Sequence, residues 1–391
     1  MQSVSQSPTD PAFVQDPYAF YDRARAKGAV VYWEEYGMPV VLSFAGVNAA
    51  LRDRRMGRAP LSPPEWPPHL ADFTRVEQQS LLELEPPRHT ALRRLALAGF
   101  TSARIAALAP GITQLSHDLI DAFPDGPFDL LPAFAQKLPV IVICRLLGVP
   151  EAMADQLLDW SHRMVAMYQA RRDRAVEEDA NSAAADFADF LRGHIEARRA
   201  DPADDLITRL IAAEETGESL DTDALIGTCV LLLNAGHEAT VQSLGNGVKT
   251  LLEHGPDPAW LSEAAIPGTV EEILRHDPPL HMFTRWTYED LEIMGREIPR
   301  GTEVGLLLGA ANRDPKTWDD PHRFDPTRPL KPHTAFGAGL HFCLGAPLAR
   351  LEFQIALPIL FARCPTLCLA ETPRYADLYH FHGLERLMVT R

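Results

Sequence analysis

Hydrophobic positions along the first sixty residues change their period twice. From Asp16 to Lys27 they are spaced as in a short helix, which Gly28 stops. Val30-Val31-Tyr32-Trp33 and Val40-Val41-Leu42 are β-branched and aromatic runs on either side of Gly37, which predicts two strands joined there. Leu61 to Pro68 carries too many prolines for either element and predicts a loop. From Thr90 onward the apolar positions keep the helical period. They predict helices over 90–98, 103–123, 139–147, 151–168, 175–199, 203–214 and 221–253. Gly255-Pro256-Asp257-Pro258 interrupts before a further pair near 258–264 and 268–276. Trp286-Thr287-Tyr288 and Leu291-Glu292-Ile293 read as short strands, and an irregular stretch follows from Arg313. The chain is therefore mainly α, with a small β portion at about 28–60 and 280–310 and at the C-terminal end.

Composition adds bounds. With 391 residues, 46% hydrophobic and 23% charged, the chain can bury a large core. Length alone allows two or three domains, but no Gly/Ser linker, repeat or charge block divides the chain, so one domain over 1–391 is expected. Met1 to Asp16 is polar and proline-containing, unlike a signal peptide or anchor. The apolar run Leu138–Val149 is too short to span a bilayer and contains Arg145. A cytoplasmic protein away from membranes is expected. The net charge of −16 speaks against sequence-independent nucleic-acid binding. Cysteines 144, 229, 343, 364 and 368 are an odd, scattered set, which argues against a disulfide framework. Cys364 and Cys368 are four apart but lack a second ligand pair, and both read as buried thiols.

The most specific chemistry lies in Phe336-Gly337-Ala338-Gly339-Leu340-His341-Phe342-Cys343-Leu344-Gly345. Gly337 and Gly339 allow a tight loop. Gly345 leaves space for a flat cofactor, and Ala346-Pro347 starts a helix with Pro in its first turn. A thiolate before a helix N-terminus meets free N–H groups and the positive end of the dipole, which lower its pKa. Cys thiolate is also an axial haem ligand that favours O–O cleavage. These residues resemble the haem-binding loop of the cytochrome P450 superfamily, Phe-x-x-Gly-x-x-x-Cys-x-Gly, and the mostly helical outline extends the resemblance over nearly the whole chain. It implies the P450 fold, with haem b between a long distal helix and the proximal Cys-loop helix. Cys343 would be the iron ligand, with Phe336 and Gly345 beside the cofactor.

Other positions gain meaning from that resemblance. Glu272 and Arg275 are three apart on one helix face. The family's Glu-x-x-Arg pair is joined by an Arg from a segment like Pro321-His322-Arg323-Phe324, which implies a buried triad of Glu272, Arg275 and Arg323. His89 and Arg93 share a helix face. With Arg285 and His341 they match family ligands of the haem propionates. In Leu232 to Thr240, the Ala235-Gly236 pair costs helix propensity, which suits close approach of a haem face. Glu238 fits the family acid that manages protons during oxygen activation. Ala239 stands where the family usually has the first Thr, and Thr240 is rotated about 100° from that place. Relatives lacking this Thr can use water or a substrate hydroxyl. His237-Glu238 begins like a zinc-protease helix, but Val241 stands where the second His belongs. Gly245 to Thr250 echoes a phosphate loop but lacks Gly before Lys249.

Family topology would line the distal pocket with Trp66, Met164, Tyr168, Leu233, Ala235, Leu280, Met282, Phe283 and Phe381, with His281 or His382 orienting a polar group. The chain shows no flavin or nicotinamide fingerprint. For such a chain the resemblance implies a separate ferredoxin, reduced by a ferredoxin reductase from NAD(P)H, with Arg93, Arg94 and Arg104 offering positive charge for docking. The implied activity is insertion of one atom of O2 into a small, largely apolar organic substrate. Two alternatives stay open: peroxide-driven oxidation, coupling or desaturation on the same fold, and a non-catalytic haem-thiolate ligand sensor.

Overall fold

A computed structural model describes residues 1–215 and 220–391. The helices, in chain order, are α1 Pro11–Gln15, α2 Tyr18–Lys27, α3 Phe44–Arg52, α4 Ala71–Glu77, α5 Arg88–Leu97, α6 Ser102–Ala107, α7 Ala109–Asp121 and α8 Lys137–Leu147. They continue as α9 Ala154–Val165, α10 Arg174–Ala200, α11 Leu206–Glu215, α12 Thr222–His254, α13 Ile266–His276, α14 Leu308–Asn312 and α15 Ala346–Arg363. The chain forms two compact units. One comprises Met1–Leu61, Thr113–Ala135 and Val241–Arg391, the other Ser62–Ile112 and Gln136–Thr240.

The first unit contains the strands. A six-stranded sheet has the order β1 Ser3–Val4, β2 Val30–Trp33, β3 Met38–Val41, β9 Glu303–Leu307, β6 Met282–Thr287 and β4 Met56–Gly57. Smaller sheets join β5 Phe128–Asp129, β10 Cys368–Leu369 and β13 Met388–Thr390, then β7 Leu291–Ile293 with β8 Arg296–Ile298, and β11 Arg374–Tyr375 with β12 Leu384–Arg386. β2 and β3 pair antiparallel from Val30↔Val41 to Trp33↔Met38, turning at Gly37 with φ 63°. Trp33 is fully buried among Phe13, Phe20, Tyr36 and Tyr379. Truncating such a side chain costs roughly 3–5 kcal/mol. β6 starts at Met282, earlier than the expected strand, because β9 pairs with it from Met282↔Leu307 to Trp286↔Glu303.

The second unit is helical. Asp173 caps α10 by accepting from Val176 N. Ala180, Ala184, Phe187, Leu191 and Ile195 then recur at helical spacing as its buried face, with Phe187 against Trp160 of α9 at 5.2 Å. The helix expected over 103–123 divides at Leu108, since Pro110 lacks an N–H and cannot continue a preceding turn. The expected 151–168 helix has 3-10 turns at both ends, and 258–264 contains only the 3-10 turn Pro258–Leu261. α12 belongs to the second unit up to Thr240 and to the first beyond it. It is long and apolar enough to cross a membrane, yet 67% of its apolar window is buried inside the protein.

Candidate active site

In the first unit, Cys343 sits just before α15 on a loop closed by backbone hydrogen bonds. Gly337 N donates to Thr334 O, Phe342 N to Gly339 O and Cys343 N to Phe336 O (3.0 Å). Asn312 at the end of α14 accepts from Thr334 N and Thr334 Oγ1, anchoring the loop's start. Gly337 and Gly339 have φ of 66° and 70°, and a Cβ on Gly339 would collide with Leu51 O. Cys343 is half-exposed. A Cβ at Gly345 would meet only its Sγ, at 4.0 Å, so the space beside the sulfur fits a flat group. The donor set suits haem: one accessible thiol at a helix N-terminus, with His341 half-buried two residues before it.

Charged partners brace this loop. Glu271 of α13 accepts from Arg350 of α15 at 2.6 and 2.9 Å and lies 3.1 Å from His333 Nε2. Burial would raise its carboxyl, but Arg350 and His333 outweigh it and lower the pKa to about 2. The Arg350 guanidinium also lies 4.6 Å from the Phe336 ring centroid. One turn along, Arg275 donates to both oxygens of Glu272 at 2.7 Å, both side chains being buried. The expected third partner needs correction. The Arg323 side chain is 62% exposed and pairs with Asp325, while only its carbonyl accepts from Arg275. Arg328 takes the place, with Nε 3.5 Å from Glu272 Oε1 and 10% exposure. Short-range spacing could not distinguish the two arginines, because the chain turns between them.

In the second unit, Glu238 is buried and addressed by α9. Ser161 Oγ donates to Oε1 at 3.1 Å, and His162 Nε2 lies 3.3 Å from the same oxygen. His237 Nε2 is 3.6 Å away, and both ring nitrogens of His237 lack a hydrogen-bond partner. Burial would raise the Glu238 carboxyl, but His237, His162 and Ser161 together hold it below its ordinary range. His162 is 43% exposed, so it connects a buried acid to solvent. The sequence offered no signal for Ser161 or His162. Thr240 Oγ1 donates to Gly236 O at 3.4 Å, and its hydroxyl does not replace one at Ala239. Gly236 also departs from expectation: what approaches its backbone is Ile143 of α8, 2.7 Å from a notional Cβ. The open face instead belongs to Ala235, which is exposed, and Ala239, half-exposed one turn on.

The remaining positions divide. His89 and Arg93 lie on α5, buried and half-buried, and Arg285 is buried in β6 with Nη1 donating to Thr284 O. Leu280, Phe283 and Phe381 are half-buried, with Leu280 bridging Phe381 through the backbone. Trp66 is half-buried beside Phe73 and beneath Arg172. Leu233 is wholly enclosed by protein atoms and lines no open space, and Met164 and Met282 are nearly so. Tyr168 is exposed and donates to Glu77. His281 and His382 are also corrections. Both are core residues, His281 beside the Tyr21 hydroxyl and His382 donating to Val14 O, and burial pushes the His281 pKa well below its usual value. Arg94 is exposed, and Arg104 is ion-paired with Asp204. Cys364 is buried and Cys368 is exposed, contrary to the expected pair of buried thiols.

Comparison with known proteins agrees with the geometry. Residues 266–374, which hold the Glu272–Arg275 pair and the Cys343 loop, match the family model for Cytochrome P450. The chain is 36% identical over 398 residues to the biotin biosynthesis cytochrome P450 of Bacillus subtilis, covering 99% of each. It is 38% identical over 343 residues to 6-deoxyerythronolide B hydroxylase of Saccharopolyspora erythraea, covering 84% of this chain and 83% of that one. Among solved structures, P450BioI in complex with an acyl carrier protein bearing hexadec-9Z-enoic acid superposes with a TM-score of 0.92 at 35% identity, over 97% of this chain and 99% of the other. Likeness of that depth along nearly the full length of both chains is kinship, and the chain belongs to the cytochrome P450 family as a monooxygenase that binds haem b.

Proposed function

We propose that Cys343 is the axial thiolate of this monooxygenase and that its reaction places one atom of O2 in a small, largely apolar organic molecule. The observation that carries the reading is the half-exposed Cys343 sulfur at the head of α15, with open space over Gly345. His89, Arg93, Arg285 and His341 would hold the haem propionates by charge-assisted hydrogen bonds, and Phe336 and Gly345 would flank the cofactor. Haem b, when bound, supplies activation of O2 and oxygen insertion at a carbon–hydrogen bond. The protein's own share is to position, to exclude water and to move protons. Glu238 is suited to the last task, because its buried carboxyl lies 3.3 Å from Nε2 of the partly exposed His162 ring, a route by which solvent protons can reach it.

Half-buried Leu280, Phe283 and Phe381 in the first unit, and half-buried Trp66 and exposed Ala235 in the second, are side chains of the kind that contact an apolar substrate. The relatives named above carry unlike molecules in their names, 6-deoxyerythronolide B in one and hexadec-9Z-enoic acid on an acyl carrier protein in the other, so no particular substrate carries over. Electrons would come from a ferredoxin reduced through NAD(P)H, docking near Leu340 and Phe342, whose side chains are exposed on the Cys loop. Action in the cytoplasm fits the burial of most of the apolar window of α12. One observation favours a second outcome on the same fold. With no hydroxyl at Ala239 and that of Thr240 turned back on Gly236 O, proton supply would rest on water or on the substrate. That leaves room for peroxide-driven oxidation, coupling or desaturation.

The test is a reduced-CO difference spectrum of the purified protein, followed by a substrate screen for the low-to-high-spin shift. A thiolate-type Soret band that is lost in Cys343→Ala is expected. Its absence in the wild type would overturn the reading.

A further inference from the structure

Away from the cysteine loop, three side chains in the first unit converge with nothing between them. Asp277 follows the last turn of α13, His281 precedes β6, and His382 comes from the C-terminal segment. One ligand atom from each lies within 4.8 Å of the others, and the unpartnered atoms of the three are Asp277 Oδ1, His281 Nε2 and His382 Nδ1. Each is buried and lacks a hydrogen-bond partner, and the three residues are 3%, 0% and 1% exposed. Three orphaned polar atoms meeting at one point are costly unless something occupies it.

The outer partners decide what would fit. His382 Nε2 lies 2.8 Å from Val14 O, which can only accept, so Nε2 carries the proton and Nδ1 offers a lone pair. The Tyr21 hydroxyl is 2.8 Å from both His281 Nδ1 and the Tyr379 hydroxyl. When Tyr21 gives its proton to Tyr379, it accepts from Nδ1 and leaves His281 Nε2 as a second lone pair, whereas the reverse relay would leave Nε2 protonated. Asp277 Oδ2 is engaged by the Tyr375 hydroxyl and by Lys249 at 3.3 Å, leaving Oδ1 as the third acceptor. A water can donate to two acceptors, not three. A cation satisfies all of them, and an imidazole whose other N–H is held by a carbonyl or hydroxyl is the usual form of a metal-bound histidine.

We propose that Asp277, His281 and His382 form a structural site for one divalent transition-metal ion, of the two-imidazole, one-carboxylate type that suits zinc. Bonds of about 2.0–2.2 Å set ligand atoms roughly 3.0–3.6 Å apart. The 3.6 Å between His382 Nδ1 and Asp277 Oδ1 already meets that spacing. The ion would tie the C-terminal segment to the end of the α13 helix that carries Glu272 and Arg275. Lys249 works against a second cation here, so the two imidazoles must outweigh it. The enclosure means the ion enters during folding and exchanges slowly. This inference is independent of the haem reading.

The test measures metal in tag-free holoenzyme produced in zinc-supplemented medium and passed through chelator-containing gel filtration, with haem assayed separately as the pyridine haemochrome. About one zinc per chain is expected, and zinc K-edge absorption should show imidazole ligands. His281→Gln and His382→Gln should each lower retained zinc about tenfold or more while haem content holds. Should either variant fail to fold, the wild-type zinc content and spectrum decide alone. Zinc-free wild type with a full haem complement, or zinc unaffected by both substitutions, overturns the site. In the first case a buried water, or a protonated His382 paired with Asp277, fills the place.

Discussion

Glycine at 339 answers two demands at once. Its φ of 70° lies where a side chain costs about 1–2 kcal/mol, and a Cβ there would press on the Leu51 carbonyl. Gly339→Ala should therefore displace the cysteine loop, lowering the haem-loaded fraction several-fold at unchanged expression, as read from the Soret-to-protein absorbance ratio. Ala239 makes the opposite case, a small residue where a hydroxyl is usual in the resembling family. If water or substrate stands in for that hydroxyl, Ala239→Thr should change the share of electrons lost to peroxide by roughly twofold or more, since a repositioned proton donor alters the rate-contributing transfer. Peroxide measured against NADH consumed gives the answer, and identical coupling and turnover would sink the idea. Glu238 stood out as a candidate acid from its motif, whereas its neighbours Ser161 and His162, over seventy residues earlier, did not. Nothing local marks a helix face that will later meet another.

At the scale of elements, α13 concentrates the stabilising charge. Breaking a buried pair by removing one partner costs about 3–5 kcal/mol. Arg328→Ala, which withdraws an almost buried guanidinium from Glu272, should cost about 2–3 kcal/mol on that reasoning. Arg323→Ala, exposed and paired only at the surface, should stay within about 0.5 kcal/mol in the same urea titration. The reverse order would restore the expected triad. Glu271 links α13 to α15 and has a pH signature. Its folded pKa of about 2 is below the ordinary 4.5, so its contribution is present above pH 4.5 and is lost as pH falls toward 2. Wild type should exceed Glu271→Gln by ~1 kcal/mol near neutrality, after allowing for partial exposure, with the gap closing as the pH is lowered below 4.5. Helical periodicity anticipated α8, α10, α12 and α13 closely, because their buried faces recur in register. It missed α3 and α4, which are short and held by Ser43 capping and by packing on α10.

For the molecule as a whole, a charge of −16 would set a repulsive background for the acidic ferredoxin proposed above, and Arg104 is ion-paired with Asp204. Docking of the proposed ferredoxin would draw on local positive charge, with exposed Arg94 as the candidate to test, effective within about 10 Å at 0.1 M salt. Reduction of the wild type by a small acidic ferredoxin should slow as salt is raised above that level, and Arg94→Glu should slow it several-fold at low salt. A stopped-flow series checks both, and a rate that climbs with salt would reject docking through a basic patch. The sequence by itself determined the family, the cofactor and the order of the long helices. Those follow from short-range facts: glycines flanking a cysteine at fixed spacing, and apolar residues repeating every turn. Only the tertiary structure decided that Ile143 fills the space beside Gly236, that Arg328 completes the Glu272 pair, and that Asp277, His281 and His382 meet in the core. Each of these meetings brings in a residue tens to over a hundred positions away, and packing rather than local preference selects it.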